Sequence, residues 1–193
     1  MTDSLDPGTV LPLLRGRFGK PYTYVERCES TQRVLEDDAP VGAVAATDEQ
    51  TAGRGRLGRD WLAPAGSSVL ASVVLHPDVP NENLAELSLV AGRACAQALA
   101  EVAQVVPTVK WPNDVLIDGR KVAGILAEAR DGRVLLGIGI NVHQTAEQLP
   151  ERVDHPATSL LLEAGRHVQR AELLASLLDH LEREHDAWVS GYR

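Results

Sequence analysis

The apolar positions in the first half of the chain predict strands separated by loops. Residues 22–26 alternate between apolar and polar side chains, which is the period of a half-buried strand. Residues 41–46 and 68–75 are nearly continuous apolar runs rich in Val, and they predict two buried strands. Residues 1–20 carry Pro, Gly and Arg with little periodicity, so we expect a loose lead-in or a short helix there.

Three helices are predicted, one short and two long. Ser30 or Thr31 is the expected N-cap of the short helix. The first long helix is predicted to begin at Asn83, with Glu86 three residues later in the spacing of a capping box. The second is predicted over residues 173–191. The apolar stripe of the first long helix comprises Leu84, Leu87, Ala91, Ala94, Cys95, Ala98 and Val102. That of the second comprises Leu173, Leu177, Leu181 and Trp188.

Three strands between the long helices form a predicted antiparallel meander. They span residues 115–117, 122–129 and 134–142, and Asp118-Gly119 and Asp131-Gly132 separate them. Asp-Gly is the sequence signal of a two-residue hairpin turn, because both turn positions need a positive φ. Helices together with an antiparallel meander predict an α+β fold.

The meander also predicts which residues face each other. If the turn at Asp131-Gly132 is tight, Gly124 lies opposite Gly139. Two facing glycines leave a flat patch without side chains, on which a ligand could lie. The same register puts Lys121 next to the position opposite Asn141. We therefore expect Lys121 and Asn141 to converge at one end of the meander.

Composition and charge exclude several classes of function. The net charge of −8 argues against wholesale binding to nucleic acid or to a membrane surface. Cys28 and Cys95 stand in no metal-binding or disulfide motif, and His180 and His185 have the wrong spacing to share a metal ion. We expect no signal peptide, and no apolar run approaches the roughly 18 residues of a membrane span. One compact domain in the cytoplasm is the expectation.

One basic segment stands out from this acidic chain. Residues 53–61 read GRGRLGRDW and combine three glycines, three arginines and a tryptophan. Glycine lets the backbone approach a ligand closely, and arginine provides forked donors for phosphate or carboxylate. The spacing Gly53-x-Gly55-x-x-Gly58 matches the dinucleotide fingerprint, but no helical pattern follows it, so we reject a Rossmann fold. We predict a loop that folds over an anion, with a solvated Arg/Gly turn as the alternative.

Lysine is rare in this chain, since only Lys20, Lys110 and Lys121 among its 19 basic residues are lysines. Lys110 opens the segment KWPND at residues 110–114. This segment is either an ordinary strand exit with a half-buried tryptophan, or a lysine and a carboxylate at the rim of a site. Lys121, close to Gly124, is either an exposed edge residue or a charge that stabilises phosphoryl transfer.

Six short segments form an ordered series along the chain. They are Glu29-Ser30-Thr31, QTAGRGR at residues 50–56, KWPND at 110–114, KVAGIL at 121–126, GIGIN at 137–141 and ATSL at 157–160. In order and spacing they resemble the biotin–protein ligase family, over roughly residues 22–192. The resemblance implies a mixed, largely antiparallel sheet flanked by helices, as in the class II aminoacyl-tRNA synthetase and biotin ligase catalytic fold.

The resemblance also implies a domain organisation. Residues 1–193 would form one catalytic domain, with residues 1–20 as its lead-in. The family's small C-terminal β-barrel is expected to be absent, and so is an N-terminal DNA-binding domain. The protein would be a monomer or a homodimer.

An enzyme that attaches biotin to a protein in two steps is the implied activity. Biotin and ATP, with Mg²⁺, would give biotinyl-5′-AMP and pyrophosphate. The biotinyl group would then pass to one lysine of a biotin carboxyl carrier protein or domain. Biotin, ATP and the carrier are thus the implied partners, with no nucleic acid, no membrane and no fixed metal site.

The family's motifs further imply roles for individual residues. Lys121, Arg56 and Asp114 would be catalytic. Lys121 would contact the biotin carboxylate and the α-phosphate, whereas Asp114 would help bind metal or orient the incoming lysine. The implied biotin-binding residues are Ser30, Thr31, Gln32, Gln50, Gly53, Arg54, Gly55, Arg56, Lys121 and Gly124. The implied nucleotide-binding residues are Arg54, Arg56, Arg59, Trp61, Lys110, Asn113 and Asn141.

One departure from the family and three rival functions stay open. Gln32 stands where the family usually has Asn, and its extra methylene either shifts a biotin contact or is neutral. A lipoate–protein ligase shares the implied fold and reaction type. A non-catalytic biotin-binding module is the second rival. A nucleic-acid binder built on the Arg/Gly loop is the third, and the charge of −8 disfavours it.

Overall fold

The computed structural model describes residues 3–130, 132–151 and 155–192, and within them seven strands form one sheet. The strands are β1 (Tyr22–Cys28), β2 (Val44–Gln50), β3 (Ser68–Leu75), β4 (Pro107–Lys110), β5 (Asp114–Ile117), β6 (Arg120–Arg130) and β7 (Arg133–Asn141). Their order across the sheet is β1-β2-β3-β7-β6-β5-β4. β1 runs parallel to β2, and the other neighbouring pairs are antiparallel. The predicted α+β fold with a largely antiparallel sheet is confirmed.

Two long helices cover one face of this sheet. The helices are α1 (Pro7–Val10), α2 (Thr31–Val34), α3 (Leu87–Ala103), α4 (Leu160–Ala164) and α5 (Arg170–Ser190). α3 packs against α5 and on β5 and β6, while α5 also packs on β3. Ala46, Ala71, Ile138 and Ile125 form one row across the strands, and all four are buried in the core beneath these helices. Burial of apolar surface thus closes this side of the sheet.

The opposite face of the sheet carries small side chains at its centre. Two rows of neighbouring residues cross it, Ala45–Ser72–Gly137–Leu126 and Thr47–Leu70–Gly139–Gly124. Since successive residues of a strand point to opposite faces, these rows lie on the face that α3 and α5 leave open. The register confirms the predicted pairing of Gly124 with Gly139 and leaves three positions there without a side chain.

The predicted hairpin turn at Asp118-Gly119 is confirmed. Both residues have positive φ, +47° and +76°, as a type I′ turn requires. In the second predicted turn Gly132 has a φ of +78°, whereas Asp131 lies outside the described residues. Arg130 pairs with Arg133 across this turn, so β6 and β7 form the expected tight hairpin.

The predicted start of β2 is wrong, and so is the predicted cap of the first long helix. β2 begins at Val44 because Gly42, at a φ of +85°, lies in a turn and donates its N–H to the Val74 carbonyl. Asn83 lies in a 3-10 turn, Asn81–Glu86, that leads into α3. Its Nδ2 donates to the Glu86 carboxylate at 2.9 Å instead of its Oδ1 capping the helix backbone.

The second predicted long helix is confirmed as α5, with Leu173, Leu177 and Leu181 in the core. His180 on this helix contacts the Glu101 carboxylate, with 2.7 Å between Nε2 and Oε2. In the described part of the chain, no group of three His, Cys, Asp or Glu side chains is arranged to hold a metal ion. None of the described helices is long and apolar enough to cross a membrane.

Residues 3–20 contain the short helix α1 and are tied to the core. Leu5, Val10 and Phe18 are buried in it. Asp3 accepts a hydrogen bond from Arg170, whose guanidinium also pairs with Asp48 at 2.7 Å. These apolar and ionic contacts hold the segment against β1 and α5.

Glu86 joins the end of α5 to the turn before α3. Its carboxylate accepts hydrogen bonds from Tyr192 Oη at 2.6 Å, Asn83 Nδ2 at 2.9 Å and Trp188 Nε1 at 2.9 Å. These donors favour the ionised form, and they lower the pKa of Glu86 from 4.5 to about 2, with Tyr192 as the largest cause.

We predict that the stabilising effect of Glu86 disappears in acid. Because the folded-state pKa lies below the unfolded value, its contribution is complete above about pH 4.5 and is lost as the pH falls toward about 2. The difference in Tm between wild type and Glu86→Gln should therefore be largest near neutral pH and shrink below about pH 4.5. Thermal unfolding followed by circular dichroism measures it, and a difference independent of pH contradicts the assignment.

Candidate active site

A cavity of about 290 Å³ lies on the open face of the sheet, close to the usual size of a small-molecule site. Its floor contains Ser72, Leu126 and the three glycines of the two rows, and its rim is formed by residues 54–57 and 59–61, residues 110–114 and the first turn of α2. The predicted site residues that line it are Ser30, Thr31, Gln32, Gln50, Arg54, Gly55, Arg56, Arg59, Trp61, Lys110, Asn113, Asp114, Lys121 and Gly124. Of the predicted set, Gly53 and Asn141 lie outside the lining.

The indole of Trp61 lies on the paired glycines of the floor. A Cβ added at Gly139 would come within 2.6 Å of Trp61 Cε2, and one added at Gly124 within 2.7 Å of Cζ3. The glycine patch is therefore covered by a side chain of the protein, which corrects the expectation that a ligand lies directly on it. Trp61 instead forms an apolar wall in the middle of the cavity.

A set of uncharged polar groups forms one end of the cavity. Gln50 Oε1 accepts hydrogen bonds from the Thr31 N–H at 2.8 Å and from Thr31 Oγ1 at 3.2 Å. Thr31 Oγ1 is also 2.7 Å from Ser72 Oγ on the floor. Ser72 was not among the predicted site residues. Its signal in the sequence is a serine in the middle of an apolar strand, a position where a hydroxyl needs a specific partner.

Residues 53–61 form a loop that leaves the sheet and returns to it. The Trp61 N–H donates to the Gly53 carbonyl at 2.9 Å, and the Gly55 N–H donates to the Arg59 carbonyl at 2.7 Å. Gly53 needs a bare Cα because the Trp61 carbonyl would be 2.7 Å from its Cβ. At the tip Leu57 has a φ of +59° and is 88% exposed. The loop is thus closed at its base and presents its arginines at the cavity.

Lys121 and Asp114 form an ion pair inside the cavity. Lys121 Nζ donates to Asp114 Oδ1 at 2.5 Å, and the side chains are 13% and 21% exposed. The main chain of Lys121 is fixed as well, because its N–H donates to the Pro156 carbonyl and its carbonyl accepts from the Thr158 N–H, each at 2.8 Å. The alternative of an exposed, idle edge lysine is therefore excluded.

The KWPND segment forms part of the rim. Trp111 is 73% exposed, so the alternative of a half-buried tryptophan at a strand exit is wrong. Asn113 Nδ2 donates to the Ile125 carbonyl at 3.0 Å, which ties the turn to β6. Lys110 contacts His155 at the outer edge. The segment therefore holds a lysine and a carboxylate at the cavity, as the second alternative required.

Asn141 converges with Lys121 as predicted, but beside the main cavity. Both residues line a small adjacent cavity of about 10 Å³. Asn141 is buried, its Nδ2 donates to the Thr158 carbonyl at 3.0 Å, and its Oδ1 accepts from Gln144 Nε2 at 3.1 Å. Its amide is thus bound to protein groups that fix the segment next to Lys121.

The cavity is a local region of positive charge. Among the described residues that line it, Arg54, Arg56, Arg59, Lys110 and Lys121 are basic, and Asp60 and Asp114 are acidic. The chain as a whole carries −8, so basic residues are concentrated at this site. A concave site with this charge attracts anions, and its uncharged end can hold a neutral polar group.

Comparisons with known proteins identify relatives of this chain. The model of the biotin/lipoate A/B protein ligase family matches residues 24–144. The bifunctional ligase/repressor BirA of Bacillus subtilis is 38% identical over 182 residues, covering 90% of this chain and 56% of the relative. A biotin--[acetyl-CoA-carboxylase] ligase of Mycobacterium tuberculosis is 44% identical over 151 residues, which cover 76% of this chain and 55% of the relative.

A solved structure supports the same relationship. The biotin protein ligase from Aquifex aeolicus, in complex with biotin and ATP, superposes with a TM-score of 0.80 and 34% identity, covering 89% of this chain and 72% of that one. The fold agrees with the class II synthetase-like catalytic fold that the sequence resemblance implies. The chain spans about half the length of the curated relatives it matches.

We predict that Gly139→Ala displaces Trp61. The new Cβ would lie 2.6 Å from the indole, and overpacking of this kind costs about 1–3 kcal/mol. Urea unfolding should show this loss, and the tryptophan emission should shift as the indole moves. Gly55→Ala is the control, because a Cβ there meets its nearest atom at an ordinary 3.5 Å. Unchanged stability and emission in Gly139→Ala would contradict the contact.

Proposed function

The chain belongs to the biotin/lipoate A/B protein ligase family, and from this premise we propose that it contains the catalytic domain of a biotin–protein ligase. The observation that carries the proposal is the division of the cavity along its floor. Uncharged groups surround Ser72 at one end, Trp61 forms a wall in the middle, and Lys121 stands toward the other end. The residue roles below are part of this proposal.

Biotin matches this division in its chemistry. Its ring system ends in a neutral urea, its middle is apolar, and its side chain ends in a carboxylate. Ser30, Thr31 and Gln50 would hold the urea, and Lys121 would pair with the carboxylate. Arg54 and Gly55 at the edge of the cavity would complete the contacts. An apolar pocket with a few fixed polar groups is the usual form of such a site.

The first step joins biotin to AMP. A biotin carboxylate oxygen attacks the α-phosphorus of ATP, the bond to pyrophosphate breaks, and biotinyl-5′-AMP remains. Both reactants are anions, so cations must offset their repulsion, and the charge that develops on the α-phosphate needs fixed donors. Lys121 is the proposed group for this task, and Mg²⁺ would arrive with ATP as part of the substrate. Arg56, Arg59, Lys110 and Asn113 are the proposed nucleotide contacts.

The second step moves the biotinyl group to the carrier. The amine of a carrier lysine attacks the acyl carbon, an amide bond forms, and AMP leaves. Asp114 lies at the cavity beside Lys121 and is proposed to orient the incoming amine. Asn141 would support the adenylate from the small cavity next to Lys121.

The loop at residues 53–61 is proposed to cover the adenylate. An acyl phosphate hydrolyses readily, so a site that makes one gains from excluding water. Hydrogen bonds close the base of the loop, and Trp61 packs on the glycines, so both ends of the loop are fixed. The tip, with Arg56 and Leu57, is the part that would close over the adenylate.

A carrier domain of a biotin-dependent carboxylase is the proposed macromolecular partner. Because this modification consumes ATP, we propose that the protein acts in the cytoplasm. We also propose that it binds neither nucleic acid nor membranes. A monomer or a homodimer is the proposed assembly, with residues 1–193 as one catalytic domain.

We predict that Lys121→Met loses adenylation. Removing a fixed charge from the developing anion should lower biotin-dependent exchange of pyrophosphate into ATP by about 100-fold or more. Lys20→Met is the matched control, since Lys20 is exposed and does not line the cavity. Equal Tm values show that both variants fold. Near-normal exchange by Lys121→Met would overturn the role of Lys121, and no biotin-dependent exchange by the wild type would overturn the proposed function.

A further inference from the structure

The helix α2 borders the cavity but is too short to be stable by itself. It spans Thr31–Val34, four residues, whereas isolated helices of fewer than about 12 residues are at best marginally stable in water. Its N-terminal side is tied to Gln50, whose Oε1 accepts hydrogen bonds from the Thr31 N–H and hydroxyl. The contacts of its C-terminal side therefore decide whether this wall of the cavity stays in place.

A small apolar cluster holds the C-terminal side of α2, and it is separate from the main core. Leu35, directly after the helix, is buried in this cluster, with Val34 and Ala39 packed against it. The other members come from the sheet and the residue before β2, and they are Ala43, Ala45, Val74 and Leu135. Three of the seven side chains are alanines, so the cluster buries little apolar area. A segment held in this way can open without unfolding of the main core.

Arg133 adds polar contacts to the same segment. It lies in β7 on the open face of the sheet, two residues before Leu135. Its Nη2 donates to the Glu36 carbonyl at 2.9 Å and to the Ala39 carbonyl at 3.1 Å. The Ala39 N–H donates to the Glu36 carbonyl at 3.1 Å, so both acceptors belong to one turn. Hydrogen bonds from a charged donor are stronger than neutral ones, and Arg133 thus ties this turn to β7.

We propose that Arg133 is a positioning residue, which holds α2 on the sheet and so keeps the uncharged end of the cavity formed before substrate binds. This inference rests on the proposed function, in which that end receives the urea of biotin. Arg133 is not one of the residues that line the cavity, so it acts through residues 31–39. If α2 is docked in only a fraction of the molecules, the apparent affinity for biotin is reduced by that fraction.

This role affects one kinetic constant and leaves two others unchanged. Saturating biotin draws α2 back onto the sheet, because the ligand favours the docked form. Arg133→Met keeps an apolar stem but removes the donors, and it should raise the KM for biotin roughly fivefold or more. The kcat, and the KM for ATP at saturating biotin, should stay within about twofold of wild type. Biotin-dependent exchange of pyrophosphate into ATP measures all three constants.

Two further variants separate the docking of α2 from the loss of a charge. Arg93→Met removes the same charge from α3, on the other face of the sheet, where Arg93 Nε donates to Glu184 at 2.8 Å. It should leave all three constants at their wild-type values. Arg133→Lys keeps the charge but not the geometry of the guanidinium, so its KM for biotin should lie between those of wild type and Arg133→Met. The same variant provides the test if Arg133→Met does not fold.

Hydrogen–deuterium exchange of the ligand-free chain measures the docking of α2 directly. The main-chain amides of residues 31–39 should exchange faster in Arg133→Met than in wild type, while those in the middle of α5 stay unchanged. A variant that only lowers the stability of the whole fold would speed exchange in α5 as well, and that result would contradict a positioning role.

The outcomes separate this inference from the function on which it rests. An unchanged KM for biotin in a folded Arg133→Met, or equal rises in the KM values for biotin and ATP, overturns the positioning role. Unchanged exchange at residues 31–39 also overturns it, and so does an Arg93→Met that behaves like Arg133→Met. A wild type without biotin-dependent exchange of pyrophosphate overturns the proposed function, whereas faster deuterium exchange at residues 31–39 in Arg133→Met would still show that Arg133 holds α2.

Discussion

The site depends on the absence of side chains at the centre of one sheet face. Gly124, Gly137 and Gly139 leave bare backbone there, while α3 and α5 close the other face. Because an indole can lie flat on bare backbone, Trp61 rests on Gly124 and Gly139, where a single added methyl group would come within 2.7 Å of it. The loop at residues 53–61 must then return to the sheet at Trp61, and this places its arginines at the cavity. A packing constraint thus determines where the charges lie.

Along the same floor, the uncharged polar groups and the charged Lys121 lie at different ends of the cavity. Thr31, Gln50 and Ser72 satisfy one another through hydrogen bonds, which fixes their geometry before any ligand arrives. Lys121 is held by Asp114 and by main-chain bonds to Pro156 and Thr158. Preorganised groups of this kind favour developing charge without reorganisation during the reaction. A substrate with a neutral polar head and an anionic tail matches this arrangement, and this is the basis for proposing biotin.

Local sequence signals predicted much of this structure, and non-local contacts account for what was missed. The turn at Asp118-Gly119 and the facing pair Gly124–Gly139 follow from the conformational needs of a few adjacent residues. The packing of Trp61 on that pair depends on how a loop about 60 residues earlier in the chain crosses the sheet. No local sequence pattern predicts this path of the loop. The contact of Ser72 with Thr31 is equally distant in sequence. The start of β2 was missed because the turn at Gly42 interrupts an otherwise apolar run.

Hydrogen–deuterium exchange of the whole chain tests the central claim, that ligand occupies the cavity beside Trp61 and is covered by the loop at residues 53–61. Exchange is measured by mass spectrometry without ligand, with biotin, and with biotin and ATP together. The account predicts slower exchange at residues 121–126 and 137–141 with biotin and additional slowing at residues 53–61 when ATP is also present, while the middle of α5 stays unchanged. Slowing confined to regions outside the cavity, or no change at residues 53–61 with both ligands, would contradict it.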